Sequence, residues 1–337
     1  MERLAALERW LAGLDPDVRF TLAPASADAS FRRYFRVTYE GGGARPRTAI
    51  AMDAPPARED CRPFVHVAGL LERAGLNAPR VIAQDLAQGF LLLTDLGTTT
   101  YLAALGADRT LADPLFADAT DALVKWQLAS RRDELPPYDA ALLRRELELF
   151  PEWYLGRHLR ITLSPADRET IDRAFALIVG ANLAQPKVFV HRDYMPRNLM
   201  ISEPNPGILD FQDAVYGPIT YDVACLVKDA FISWEEERAL DWTIRYWEKA
   251  KRARLPVDAD FAAFWRDCEW MGLQRHLKVA GIFARLAYRD GKRQYLDDTP
   301  RFLGYIRPVL ARYRVFAPLA ALVDRLEGRL PETRYSF

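Results

Sequence analysis

Lys187-Val-Phe-Val-His-Arg-Asp-Tyr-Met-Pro-Arg-Asn-Leu-Met-Ile-Ser202, with Gly207-Ile-Leu-Asp-Phe-Gln-Asp213 close behind it, decides how the rest of the chain reads. An apolar strand delivers His191-Arg192-Asp193 into a loop, and Asn198 follows five residues after Asp193. A second apolar run, Leu199-Met200-Ile201, comes next, and beyond a Pro/Gly turn Asp210 stands at a strand end. In-line phosphoryl transfer needs these groups: one carboxylate to accept the proton of an attacking hydroxyl, and an amide oxygen with a second carboxylate to hold Mg2+ against the phosphates. Mg2+ favours hard oxygen ligands and keeps phosphate oxygens and waters in its shell. Either half of the pattern alone carries little information. Both halves in order, between short strands, do not read as polar decoration of a loop.

Upstream of this island the chain reads as strands. Arg33–Tyr39 alternates, with Phe35, Val37 and Tyr39 on one face and Tyr34, Arg36 and Thr38 on the other. Gly41-Gly42-Gly43 turns the chain and Thr48–Met52 returns, a hairpin with a long tip. Pro55-Pro56 breaks it. A helix is predicted over 60–74, and two further strands over 80–84 and 90–94. After Thr94 helical periodicity takes over, at 121–130, 140–159, 165–183, 235–251 and 258–289, interrupted only by the 187–213 island. The plan is α+β and bilobal: a small antiparallel-sheet N-lobe over 1–94, a hinge near 93–96, and a large, mainly helical C-lobe over 95–337.

Composition excludes several classes. Lys+Arg and Asp+Glu are both 46 in 337 residues, so no net charge steers the chain toward nucleic acid or an anionic membrane. Three widely spaced cysteines, Cys61, Cys225 and Cys268, show no metal-ligand spacing and fit buried thiols in a reducing compartment. The N-terminal 1–20 segment carries Glu2, Arg3, Glu8, Arg9 and Asp15 and reads as an amphipathic helix without the apolar core of a signal peptide. A cytoplasmic monomer is expected, with neither nucleic-acid nor membrane partners.

These motifs resemble the aminoglycoside phosphotransferase and choline-kinase branch of protein-kinase-like enzymes over nearly the whole chain. The resemblance implies a bilobal kinase-like fold with ATP and Mg2+ between the lobes. It implies Asp193 as base with Arg197 beside it in the catalytic set, and Asn198 and Asp210 as Mg2+ ligands. His191 would brace the loop, and Asp222, in Tyr221-Asp222-Val-Ala-Cys-Leu226, would cap its helix and tie it to the catalytic loop. Protein kinases share His-Arg-Asp, but no G-x-G-x-x-G precedes the hairpin, no A-P-E follows Asp210, and 211–222 is too short for an activation loop.

One departure stands out. In Ala49-Ile50-Ala51-Met52-Asp53, alternation places Met52 where kinases carry a phosphate-binding lysine. Arg32, Arg33 or Arg62 are the candidates for its duty. Ser30 closes a small-residue segment, 26–30, suited to backbone contact with phosphate. Thr94 and Asp95 at the hinge complete the expected nucleotide contacts.

The acceptor is suggested by further blocks: Met52-Asp-Ala-Pro-Pro56 with Glu59-Asp-Cys-Arg-Pro-Phe64, Leu93-Thr-Asp-Leu-Gly97, and Gly272–Arg285. These resemble bacterial kinases that phosphorylate C1 of N-acetylmuramate and N-acetylglucosamine in peptidoglycan recycling. A small-molecule amino sugar would be read by aromatic faces and polar partners, for which Glu148, Trp153, Tyr154, Trp234 and Arg275 are the candidates. Arg275 is the choice for a lactyl carboxylate. Trp153 and Trp270 also fit the core of amphipathic helices, and His276 and Lys278 read as helix-face residues rather than catalysts. Aminoglycosides fit less well, since Glu235-Glu-Glu237 is the one acidic block; choline would need an aromatic cage. An inactive nucleotide-binding scaffold has only Met52 in its favour.

Overall fold

The computed structural model describes residues 2–27, 31–41 and 47–328. They form two compact units, Met1–Ala129 with Arg197–Ala214, and Ser130–Pro196 with Val215–Phe337. In chain order the elements are α1 (Glu2–Leu14), β1 (Phe20–Ala27), β2 (Arg33–Tyr39), β3 (Thr48–Asp53), α2 (Arg62–Arg73), β4 (Val81–Asp85), β5 (Phe90–Thr94), α3 (Tyr101–Ala107) and α4 (Ala112–Leu128). Then come α5 (Ala140–Leu147), a π-helix (Phe150–His158), α6 (Pro165–Ala184), β6 (Lys187–Val190), β7 (Leu199–Met200), β8 (Gly207–Ile208) and β9 (Val215–Pro218). The chain finishes with α7 (Tyr221–Val227), α8 (Glu236–Arg252), α9 (Phe261–Arg289), α10 (Thr299–Arg312) and α11 (Ala317–Leu326). No helix among the described residues is long and apolar enough to cross a membrane.

In the first unit an antiparallel sheet runs β1-β2-β3-β5-β4. Residues paired directly across antiparallel strands point to the same face. Phe35, Ala51 and Leu92 therefore share one face with Val37 and Ala49, and Leu7 and Leu11 of α1 pack onto it. Tyr34, Met52 and Leu91 share the other. The predicted alternation of β2 holds. The predicted N-terminal helix ends six residues early, at Leu14, because Pro16 disfavours helical backbone at Asp15. β1 went unread because Pro24 interrupts its pattern; as an edge strand with a register shift between Pro24 and Ser26, it needs no ladder donor there.

The second unit is organised on α9, a 29-residue helix whose buried positions run from Phe264 to Ala287. The π-helix, α10, α7 and α6 pack on it. One helix was predicted over 140–159. The structure has α5 and then the wider π-helix, whose second residue, Pro151, has no N–H to continue the ladder. α10 and α11, which the sequence did not announce, cover the same core with Phe302, Ile306, Leu319 and Val323. All three cysteines are free and buried.

Gly281 of α9 lets the helix approach the backbone ahead of the π-helix: a Cβ there would lie 2.3 Å from the carbonyl carbon and 2.4 Å from the carbonyl oxygen of Leu149. Alanine would gain about 1 kcal/mol of helix propensity, which the overpacking outweighs. Gly281→Ala should therefore lose a net of about 1–3 kcal/mol in urea unfolding; an unchanged midpoint would mean that the two segments separate freely.

Candidate active site

In the second unit β6 pairs with β9 up to Val190–Val215, and the chain leaves that pair as His191-Arg192-Asp193. Asp222, in the first turn of α7 and fully buried, accepts the His191 N–H at 2.7 Å and the Arg192 N–H at 3.0 Å. The expectation that Asp222 caps its helix is corrected in part. Thr220 is the N-cap residue and makes no side-chain cap bond, while both Asp222 oxygens hold the loop. Arg192 has φ of 76°, a left-handed conformation that costs a non-glycine residue roughly 1–2 kcal/mol. The Asp193 N–H meets His191 Nδ1 at 3.3 Å, and the buried His191 ring stands edge-on to Tyr194, so His191 braces the loop.

Beneath the loop lies a buried charge cluster. Glu146 accepts from Arg192 Nη2, from Lys278 Nζ at 3.0 Å, from Gln274 Nε2 at 3.1 Å and from the Tyr138 hydroxyl. Burial pushes the Glu146 carboxyl up, but the adjacent Lys278 and Arg192 charges outweigh it and hold the group at about 2. Burial likewise opposes the charges of Arg192, Lys278 and Arg275. Each is nevertheless held more firmly protonated than usual, the first two chiefly by Glu146, and Asp193 adds to all three. Asp193 is thus a half-buried carboxylate set among cations. For Asp222 burial wins: its carboxyl is pushed up to about 7 against the two N–H groups it accepts.

In the first unit β7 and β8 pair as Leu199–Ile208 and Met200–Gly207, and the Leu209 N–H donates to the Asn198 carbonyl at 2.9 Å. This ribbon brings Asn198 Nδ2 to 3.4 Å from Asp210 Oδ2, while Gln212 Nε2 donates to Asp210 Oδ1 at 2.9 Å. Asp210 also has a positive φ, 62°, and the ring of Phe211 after it packs, tilted by 39°, against that of Phe64 of α2 at 4.7 Å. The pair fits Mg2+. Octahedral coordination at about 2.1 Å sets neighbouring ligand oxygens about 3 Å apart, and a half-turn of the Asn198 amide would face its oxygen to Asp210. No cluster of three His, Cys, Asp or Glu suited to a metal occurs among the described residues, so an ion here would lean on the amide and on phosphate oxygens.

The expected nucleotide residues are placed as follows. Ser30 lies outside the described residues. Met52 is fully buried in the sheet. Arg33 and Arg3 close on the buried Asp53, Arg32 pairs with Glu59, and the exposed Arg62 pairs with Asp60. Thr94 Oγ1 accepts the Arg80 N–H, and Asp95 takes both Arg36 Nε and Nη2. Arg197 is half-buried in the turn before Asn198.

Among the acceptor candidates two expectations are corrected. Arg275 is 1% exposed, with Nη1 on the Lys228 carbonyl and Nη2 on Met195 Sδ, so it supports the loop from inside and presents nothing to a dissolved carboxylate. Tyr154 is buried on Phe150 with its hydroxyl donating to Glu327. Glu148 is shared by Arg144 and Arg168. Trp153 stays half-exposed; Trp234 packs edge-on to Trp242 beneath Arg238; Trp270 packs on Phe316 and Tyr313. His276 and Lys278 are both buried, on different sides of α9. Sequence reasoning missed Glu146 and Gln274, and read Lys278 only as a helix-face residue. Gln274 and Lys278 are spaced i, i+4, which sets both toward Glu146.

One unit with a five-stranded antiparallel sheet and the Asn–Asp pair, and a mainly helical unit with the His-Arg-Asp loop, are the parts of a kinase-like phosphotransferase. The solved Plasmodium vivax ethanolamine kinase superposes with a TM-score of 0.63 over 90% of this chain and 86% of its own, at 11% identity, which establishes the fold. The model of the phosphotransferase enzyme family matches residues 21–258, and the chain belongs to that family. A Pseudomonas putida protein named N-acetylmuramate/N-acetylglucosamine kinase is 56% identical over 91% of this chain and 89% of its own length. One of the same name from Neisseria meningitidis is 48% identical over 97% of each.

Asp222 makes stability depend on pH in a fixed direction. Its folded carboxyl keeps its proton to about 7 while the unfolded one releases it near 3.8, so its contribution falls as pH rises between those values. The stability difference between wild type and Asp222→Asn, measured by urea unfolding, should therefore shrink from about pH 4 to about pH 7. A constant difference would mean that Asp222 ionises in the folded protein as readily as in the unfolded one.

Proposed function

We propose that this chain transfers the γ-phosphoryl group of ATP to the anomeric hydroxyl of N-acetylmuramate or N-acetylglucosamine, forming a sugar 1-phosphate for cell-wall recycling. The observation that carries the acceptor is the pair of relatives, 48% and 56% identical over at least 91% of this chain, whose names specify those two sugars. C1 regiochemistry is what the resemblance of the sequence blocks described above to anomeric sugar kinases implies.

Asp193 orients the acceptor hydroxyl and takes its proton. A loose transition state asks for that proton late, and an anomeric hydroxyl is more acidic than an ordinary alcohol, so a carboxylate is basic enough. Asn198 and Asp210 would hold Mg2+, whose charge offsets that of the phosphates. Arg197, next to Asn198, is proposed as a further cation of the catalytic set, and Trp153 and Trp234 as the aromatic faces for the pyranose.

Asp193→Asn should lower kcat by roughly 10²–10⁴-fold, the range for a positioned general base, with nucleotide affinity retained in calorimetry. Loss of nucleotide binding would remove Asp193 from the acceptor side. Asp210→Asn should raise the Mg2+ concentration needed for half-maximal turnover, more than Asn198→Ala does, because it removes a charge; unchanged Mg2+ dependence in both would sink the ligand assignment. With N-acetylmuramate as acceptor, the product should hydrolyse in mild acid as a glycosyl phosphate, and its phosphorus NMR signal should couple to the anomeric proton. A 6-phosphate would overturn the anomeric reading and leave phosphotransfer standing.

A further inference from the structure

Arg192 carries the strain of the loop, and Asp193 follows it directly. Its φ of 76° lies in the left-handed region, where a non-glycine residue stays only if its surroundings hold it. Contacts at its N–H, its carbonyl and its guanidinium do so. Asp222 accepts the N–H at 3.0 Å, the carbonyl receives the Cys225 thiol at 3.8 Å, and Glu146 takes Nη2 at 2.5 Å. The first two contacts come from α7 and act on the backbone. The third comes from the last turn of α5 and acts on the side chain.

Glu146 is itself held on both oxygens. Oε1 takes the two cations, Arg192 Nη2 and Lys278 Nζ, the latter at 3.0 Å. Oε2 takes the Tyr138 hydroxyl and Gln274 Nε2, the latter at 3.1 Å. Each carboxylate oxygen offers about two acceptor sites, so the group cannot turn to follow Arg192 without breaking its contacts to α9 and to Tyr138. Lys278 Nζ also donates to the Tyr221 hydroxyl at 3.0 Å, one residue before Asp222. The anchor on the side chain is thereby tied to the helix that anchors the backbone. All of these residues belong to the second unit.

We infer that Glu146 is a positioning residue for the phosphoryl transfer: it holds the Arg192 side chain so that the strained backbone presents Asp193 in one direction. The inference rests on Asp193 being the base, as proposed above. Glu146 touches neither reactant in this role, and its effect passes through Arg192 to Asp193. A displacement of about 1 Å at a reacting group can lower a rate by about 10²-fold, so a small rotation about the Arg192 backbone is enough.

Glu146→Gln keeps the shape of the side chain and removes its charge. With ATP and N-acetylmuramate, kcat per folded molecule should fall by about 10- to 100-fold, while KM for either substrate changes by less than about threefold. Beside Asp193→Asn, where no base remains to be placed, the same change should cost less than about twofold more. An unchanged kcat, a loss carried by KM, or losses that multiply in the double variant would overturn the inference. Wild-type kcat in Asp193→Asn alone would overturn the base assignment and this inference with it, a result that the single variant identifies. Should Glu146→Gln not fold, Arg192→Gln replaces it, because Glu146 then keeps Lys278 as its counter-charge. The same fall in kcat is expected, again with little further loss beside Asp193→Asn; full activity or multiplying losses would overturn the role of Glu146.

Discussion

Two consecutive backbone amides, those of His191 and Arg192, end on one buried carboxylate, Asp222, and the position of the proposed base depends on that grip. A loop that must present Asp193 after a left-handed residue does not hold itself, because an arginine at φ 76° is strained. Asp222 fixes the backbone of that residue, Glu146 fixes its side chain, and His191 receives the next amide. The three contacts converge from α7, α5 and the loop itself, so the second unit packs as a single support for three residues.

The charges under this loop are better read as orientation than as stability. Burying Glu146 with Arg192 and Lys278 removes three ions from water, and a well-made buried pair often does no better than an apolar replacement. Removing one member is a different matter, since it strands the others without a counter-charge, at a typical cost of about 3–5 kcal/mol. Tyr138 and Gln274 fill the remaining acceptor positions on Glu146. With Arg192, Lys278, Tyr138 and Gln274 all directed at Glu146, the cluster points Arg192, and with it the loop, in one direction. Arg275 belongs to the same support through the carbonyl of Lys228 and the sulfur of Met195.

The first unit solves a different problem, placing charge at the end of a sheet that is buried on both faces. α1 occupies one face of β2, β3 and β5, which commits Arg3, Arg33 and Asp53 to each other there. Arg32 and Glu59 pair with each other outside that set, ahead of β2 and of α2. A methionine at position 52 is tolerated in this setting because the residue is enclosed in apolar surroundings.

Strand alternation, the spacing of Asp193, Asn198 and Asp210, and the long helix α9 were all legible in the sequence. Each is a local property: a period of two, a fixed number of bonds, a period of 3.6. The edge strand β1 and the π-helix were not legible, because Pro24 and Pro151 interrupt patterns whose continuation depends on hydrogen bonds made, or safely left unmade, by other parts of the fold. Side-chain roles on α9 failed for a related reason. A helix enclosed on nearly every side has no polar face to read, so Gln274, Arg275 and Lys278 could be placed on the helix but not assigned partners. The sequence by itself thus determined which chemical groups occur and in what order along the chain. Only the tertiary structure decided which charges neutralise each other, since Glu146 meets Lys278 and Arg3 meets Asp53 across separations that no local period encodes.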